Sequence, residues 1–313
     1  MKILLAEKAV GLIEAKQRIV LPLCCGLPRT LVEALVQDHA RLTDVEIVSG
    51  LQIQYPFLEK GLERSFSYRT WQCAPPIRGH LKKGTVKYIP MRQGDAVRVF
   101  SRHGIWPVDA AMIQVSLPDK DGYCSLGVSI GHTLPLARQA KIVIAEINRR
   151  MPRVLGKGFI HVSEIDYAVE TDRPLLEYTT SGKQEEREVT IGKYVADLIE
   201  DGSTLQIGIG AIPDAVLNYL LKKKDLRFYG MGIDRFVDLV EAGAVEKKKM
   251  PNIVVTEILG TKKIFTFVHD NPMVEGRALP ETINPRVAGK ISKFCSLLSA
   301  IEIDLTGQVN SET

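Results

Sequence analysis

Apolar residues in this chain come in short runs separated by stretches of helical spacing, the pattern of strands alternating with helices. Residues 203–220 show it most plainly, reading Ser-Thr-Leu-Gln-Ile-Gly-Ile-Gly-Ala-Ile-Pro-Asp-Ala-Val-Leu-Asn-Tyr-Leu. An apolar strand runs into Gly208 and Gly210 and then into a helix opened by Pro213. Earlier in the chain, a helical pattern around residues 10–13 precedes a predicted strand at 19–23. The turn Cys24-Cys25-Gly26-Leu27-Pro28 follows, and then a helix with Leu31, Leu35 and Val36 on its apolar face. Further strands are predicted at 45–50, 112–117, 140–147, 159–165, 225–230, 253–256 and 300–305.

The two halves of this pattern repeat. When Pro28 is laid on Pro213, Val20 meets Leu205, Cys25 meets Gly210, Leu31 meets Val216 and Leu35 meets Leu220. Each helix is followed by a strand ending in glycine, at Gly50 and Gly230. A third pair is formed by 112–117 before Gly122 and 300–305 before Gly307. The expectation is an α/β fold of two duplicated domains with mostly parallel sheets, residues 1–185 and 186–313. The charged stretch 181–188 reads as the linker between them. Because so little chain follows Gly307, the second domain is expected to be C-terminally truncated, with an edge or face that another chain would cover.

Composition narrows the class. A hydrophobic fraction of 45% and a charged fraction of 25% belong to an ordinary soluble protein. The net charge of +4 tolerates an anionic ligand but argues against nucleic acid. The lysine clusters at 222–224 and 247–249 read as solvated faces. Five cysteines without Cys-x-x-Cys spacing, and six scattered histidines, favour a reducing cytoplasm over a disulfide framework or a metal site. No run suits a signal peptide or a membrane span. The candidate chemistry is the turn Gly208, Ile209, Gly210, Ala211 and Ile212. Its glycines let a ligand approach the backbone, and the helix start offers N–H groups and a positive dipole end to an anion or a carbonyl oxygen.

Several longer motifs carry a resemblance. Pro-Asp-Lys-Asp-Gly-Tyr-Cys-Ser-Leu-Gly at 118–127 is similar to a signature of the acetyl-CoA hydrolase/transferase family. So are residues 201–214, Val-Asp-Leu-Val-Glu-Ala-Gly at 237–243, Asn-Pro-Met at 271–273 and Ser-Ala-Ile-Glu-Ile-Asp-Leu-Thr-Gly-Gln at 299–308. The chain most resembles the 4-hydroxybutyrate CoA-transferase branch. The resemblance implies two CoA-transferase-like domains and exchange of CoA between a short-chain acyl-CoA and a carboxylic acid. It implies a CoA thioester as substrate, with no tightly bound cofactor and no metal. In such enzymes a glutamate attacks the thioester to give an acyl-glutamyl anhydride, and the CoA thiolate returns to make a glutamyl-CoA thioester. The loop at Gly208 to Ile212 would face CoA and support the oxyanion. A homo-oligomer, or a partner chain completing the second domain, is implied as well. The motifs at 118–127 and 237–243 read as fold-keeping, through turn formers and an apolar helix face ending at Gly243.

The chain departs from the family where the nucleophile is expected. That segment here reads Phe-Tyr-Gly-Met-Gly-Ile-Asp-Arg-Phe at 228–236, with Gly230 or Met231 in the glutamate's place. Asp234 matches an aspartate that follows the glutamate in relatives, and Leu298 stands where an asparagine is common. The remaining catalytic candidates are Glu257, read as a solvated glutamate at a strand end, and Glu302, read as lining the site. The expected function is CoA transfer. The alternatives are an acyl-CoA hydrolase, in which another base activates water, and a non-catalytic CoA-binding or partner subunit.

Overall fold

A computed structural model describes residues 1–179, 185–247 and 250–310. The first half builds an eight-stranded parallel sheet from β1 (Lys2–Ile3), β2 (Arg18–Val20), β3 (Val45–Val48), β4 (Phe66–Thr70), β5 (Val86–Tyr88), β6 (Ala110–Val115), β8 (Ile142–Asn148) and β10 (Tyr167–Thr171). Their order is β1-β10-β8-β6-β2-β3-β4-β5. A small antiparallel ribbon joins β7 (Tyr123–Ser125) to β9 (Phe159–His161). The central strands are apolar on both faces because helices cover both. Helices α1 (Ala6–Val10) and α2 (Arg29–Gln37) enclose Ile13, Leu31, Leu35, Ile47 and Tyr68 on one side. The other side is packed by α4 (Ala96–Phe100) and α5 (Thr133–Ala137), while α3 (Arg78–Lys82) contacts the edge strand β5.

The second half forms a five-stranded parallel sheet from β11 (Thr204–Ile207), β12 (Arg227–Ile233), β13 (Ile253–Leu259), β14 (Val274–Gly276) and β15 (Phe294–Leu297), in the order β14-β13-β12-β11-β15. Helices α6 (Glu186–Asp197), α7 (Ala211–Tyr219), α8 (Arg235–Glu241) and α9 (Lys262–Val268) accompany it. One hydrophobic cluster joins the halves. Leu23, Cys24, Cys25, Val128 and Val154 from the first pack with Leu205, Phe228, Phe236 and Ile258 from the second. Among the described residues no helix is long and apolar enough to cross a membrane.

The strand at 300–305 is a correction to the sequence reading. Only Glu302–Ile303 (β16) is extended, and it pairs antiparallel with Val309–Asn310 (β17) in an exposed hairpin. Local turn chemistry decides this. The Asp304 carboxylate accepts from the Thr306 and Gln308 N–H groups, and Gly307 supplies a φ of 85°. The place beside β11 goes to β15 instead, so β6-β2-β3-β4 and β15-β11-β12-β13 run in the same local order. Residues 181–184 of the expected linker, and Lys248 and Lys249, lie outside the described residues. Helix α6 starts within the rest of that charged stretch, closed by a capping box between Glu185 and Glu188.

Candidate active site

Both strand–turn–helix units fold as the sequence predicts, but they differ in access. The first turn, Cys24–Gly26, is fully buried. The N-terminus of α2 beyond it is already filled by Glu146 of β8. Thr30 Oγ1 donates to Glu146 Oε1 at 3.0 Å, and the Leu31 N–H donates to Oε2 at 3.2 Å. Glu146 is 1% exposed, and burial raises its pKa. No ligand anion can take that position.

The second turn is open. Residues 208–212 are half-buried, and Gly210 caps α7 without a side-chain hydrogen bond. Its φ of 131° and ψ of 177° belong to a region reserved for glycine. The Gly208 N–H is tied to Leu297 O of β15 at 3.0 Å, which holds the turn at the C-terminal end of the sheet. That end of a parallel sheet is where α/β folds place ligands. Gly210→Ala is expected to destabilise the chain by about 1–3 kcal/mol. Urea denaturation of both proteins measures it.

Next to this turn, β12 carries the position where the glutamate was expected. Gly230 has a φ of 101°, and the register with β13 slips between Gly230 and Met231. The extra residue is Thr256, whose hydroxyl donates to Gly230 O at 2.7 Å. A Cβ at Gly230 would meet only the Gln206 side chain, 3.6 Å away. Asp234, at the end of β12, is committed elsewhere. Its carboxylate accepts from the Thr261 and Ile264 N–H groups at 3.1 Å and so fixes the start of α9. Glu302 lies in the exposed hairpin, where Oε1 accepts from Asn310 Nδ2.

Glu257 differs from the sequence reading. It lies inside β13, not after it, and is 2% exposed. It is the register partner of Met231, one step from Gly230 on the adjacent strand. Neither carboxylate oxygen makes a hydrogen bond of good geometry. Oε1 packs against Gly131, where an added Cβ would fall 2.3 Å from it. Burial pushes the Glu257 pKa up to about 8, offset only in part by the nearby Ser129 hydroxyl and Gly131 N–H. Cys24 and Cys25 share this environment, and burial pushes Cys25 up to about 12, so both are protonated thiols at neutral pH. The sequence did hold a signal for the burial. Glu257 is flanked by Ile-Val-Val-Thr and Ile-Leu, and a continuous apolar run is the mark of a parallel strand covered on both faces.

The 118–127 motif is tied down by hydrogen bonds. Asp119 Oδ1 accepts from the Asp121 and Tyr123 N–H groups, and Oδ2 binds Arg153, which also reaches Asp270 in the second half. Ser125 Oγ accepts from the Gly127 and Val154 N–H groups. The 237–243 motif spans most of α8 and ends at Gly243, whose φ is 77°.

Residues 1–177 match the acetyl-CoA hydrolase/transferase N-terminal domain, and residues 260–313 match the C-terminal domain of the same family. The chain belongs to the acetyl-CoA hydrolase/transferase family. It is 43% identical to the 4-hydroxybutyrate coenzyme A transferase of Clostridium kluyveri, over 100% of this chain and 74% of that one. It is 30% identical to the succinyl-CoA:cyclohexane-1-carboxylate CoA transferase of Geobacter metallireducens, over 98% and 70%. Among solved structures, RipA from Yersinia pestis superposes with a TM-score of 0.89 at 27% identity, covering 100% of this chain and 76% of that chain. A 4-hydroxybutyrate CoA-transferase from Porphyromonas gingivalis gives 0.81 at 30% identity, covering 98% and 75%. Membership in the family makes the glutamate-free segment at Gly230 the chemical question of this site.

Proposed function

We propose that this chain exchanges CoA between a short-chain acyl-CoA and a carboxylic acid, with the thioester laid along residues 208–212 and Glu257 as the reacting carboxylate. The observation that carries the reading is the open turn at the end of β11, beside the ends of β12 and β13. Its counterpart in the first half is plugged by Glu146. Glu257 is the carboxylate left beside the glycine position, since Asp234 caps α9 and Glu302 is on the exposed hairpin. In its ionised form a Glu257 oxygen would attack the thioester carbonyl, and the C–S bond would break to give a mixed anhydride and CoA thiolate. The thiolate would then attack the Glu257 carbonyl, releasing the first acid and leaving a glutamyl-CoA thioester. A second carboxylate would reverse these steps. N–H groups of the turn beyond Gly208, whose own N–H is bonded to Leu297 O, would supply the oxyanion donors in this reading.

The matching local strand orders support two related units, 1–185 and 186–313. Leu298, Ile301, Ile303 and Leu305 are exposed beyond β15, an apolar edge suited to being covered by further polypeptide.

Incubation with acetyl-CoA followed by borohydride should place a reduced adduct on the peptide containing Glu257, and none in Glu257→Gln. Release of CoA without an adduct would overturn transfer in favour of hydrolysis. That outcome has its own support, since a carboxyl titrating near neutrality can serve as a base for water. CoA binding with neither adduct nor release would make the chain a binding subunit.

A further inference from the structure

A carboxylate that is 2% exposed cannot react with a thioester while it stays sealed. The seal is a specific piece of chain. Residues 128–131, from the first half, run antiparallel beside 256–258 of β13, with a bridge between Ser129 and Glu257. The Ile130 and Gly131 N–H groups donate to Thr256 O at 3.0 and 3.1 Å, and the Ile258 N–H donates to Val128 O at 2.8 Å. Ser129 Oγ ties the same segment to the first turn by accepting from the Leu23 N–H at 3.0 Å. Gly131 lies directly on the carboxylate.

We propose that residues 128–131 form a strap over Glu257 that detaches from β13 to admit water and an acyl group to the carboxylate. Detachment breaks three bonds to β13, the Leu23 N–H bond to Ser129 and the Leu279 N–H bond to Gly131 O, and uncovers Ile130, while the group beneath gains solvation. In the closed form the Glu257 oxygens have only the poorly aligned Ser129 hydroxyl and Gly131 N–H near them, an arrangement that costs more once the group is charged.

The surroundings give that charge no other relief. The first turn presents Cys24 and Cys25, both held as neutral thiols. The strap presents the Ser129 hydroxyl and is followed by His132. That imidazole is fully buried against Leu21 O, and burial lowers its pKa to about 4, so it is neutral as well. On β12 the register partner is Met231, and Asp234 at the end of that strand is bound by backbone N–H groups at the start of α9. Beyond the first turn, Tyr178 is a protonated phenol, its pKa raised by burial. No lysine or arginine is among the groups that shift Glu257. Opening the strap is therefore the route by which Glu257 ionises.

The proposal takes from the function above only that Glu257 must be reached, and amide exchange tests it without turnover. The ordinary carboxyl value is 4.5 and the sealed value about 8. Between these limits the open fraction should rise close to tenfold per pH unit. Hydrogen exchange of the whole chain from pH 6 to 8, corrected for the intrinsic rate, should show protection at Ile130, Gly131 and Ile258 falling at that rate. In Glu257→Gln the same amides should be flat. Met112 in β6, remote from the strap, serves as a control that also covers the case in which the variant does not fold. Protection no lower at the strap than at Met112 would mean exchange only through global unfolding and would overturn the proposal. Equal slopes in the native chain and Glu257→Gln would overturn it too. An exchange result as expected, with no borohydride adduct, would leave the strap standing and remove the transfer reading.

Discussion

Glu257→Gln is expected to make the folded chain more stable, and the gain should widen as the pH rises from about 5 to 8. Burial raises the folded-state pKa to about 8 from an ordinary 4.5. Between those values the folded chain holds a proton that the unfolded chain has released. Stability contributed by the neutral carboxyl is therefore complete below about pH 4.5 and is lost as the pH climbs towards 8. Each unit of difference is worth about 1.4 kcal/mol, so the full swing is on the order of 5 kcal/mol. Glutamine removes the titration while keeping the shape. Urea unfolding of both proteins at pH 5 and pH 8 measures it, and native stability that rose across this window relative to the variant would sink the idea. If Glu257 also carries the chemistry, the same substitution abolishes the borohydride adduct. A residue kept only for packing would not become more stable and less active in one step.

The opposite result is expected at Glu46, another glutamate buried within a strand of a central sheet. Glu46 of β3 is 5% exposed and accepts from Arg18, Arg69 and Lys87, at 2.5, 2.8 and 3.0 Å. Burial alone would raise its pKa, but these three cations hold it down to about 2. Its contribution is present above the ordinary value of 4.5 and is lost as the pH falls towards 2. Glu46→Gln should therefore destabilise the chain at pH 7. The shift corresponds to about 3 kcal/mol, trimmed to roughly 2 kcal/mol because Lys87 is partly solvated. It should leave no difference near pH 2. A glutamine variant as stable as the native chain at pH 7 would show that the cations find other partners.

These two glutamates show where sequence reasoning stopped. Strands β2, β3, β6, β8, β11, β12 and β13 were legible because parallel strands covered on both faces leave long apolar runs. The glycine turn at 208–212 was legible because Gly210 needs a backbone region that other residues avoid. The run at 300–305 misled because Ile301, Ile303 and Leu305 alternate like a buried strand, yet the Asp304 turn folds them into an exposed hairpin. Glu257 misled for the reverse reason. A charged residue was assigned to the surface when the strand around it already implied burial.

By itself, the sequence determined the alternation of strands and helices, the family, and the absence of a glutamate at Gly230, since each depends on local pattern and residue identity. Only the tertiary structure decided that the first turn is plugged by Glu146 while the second stays open, because that plug comes from a strand more than a hundred residues away. It likewise decided that Glu257 is sealed beneath 128–131 with no counter-charge. Desolvation and hydrogen bonding are properties of the assembled seam, and no spacing within one segment encodes them.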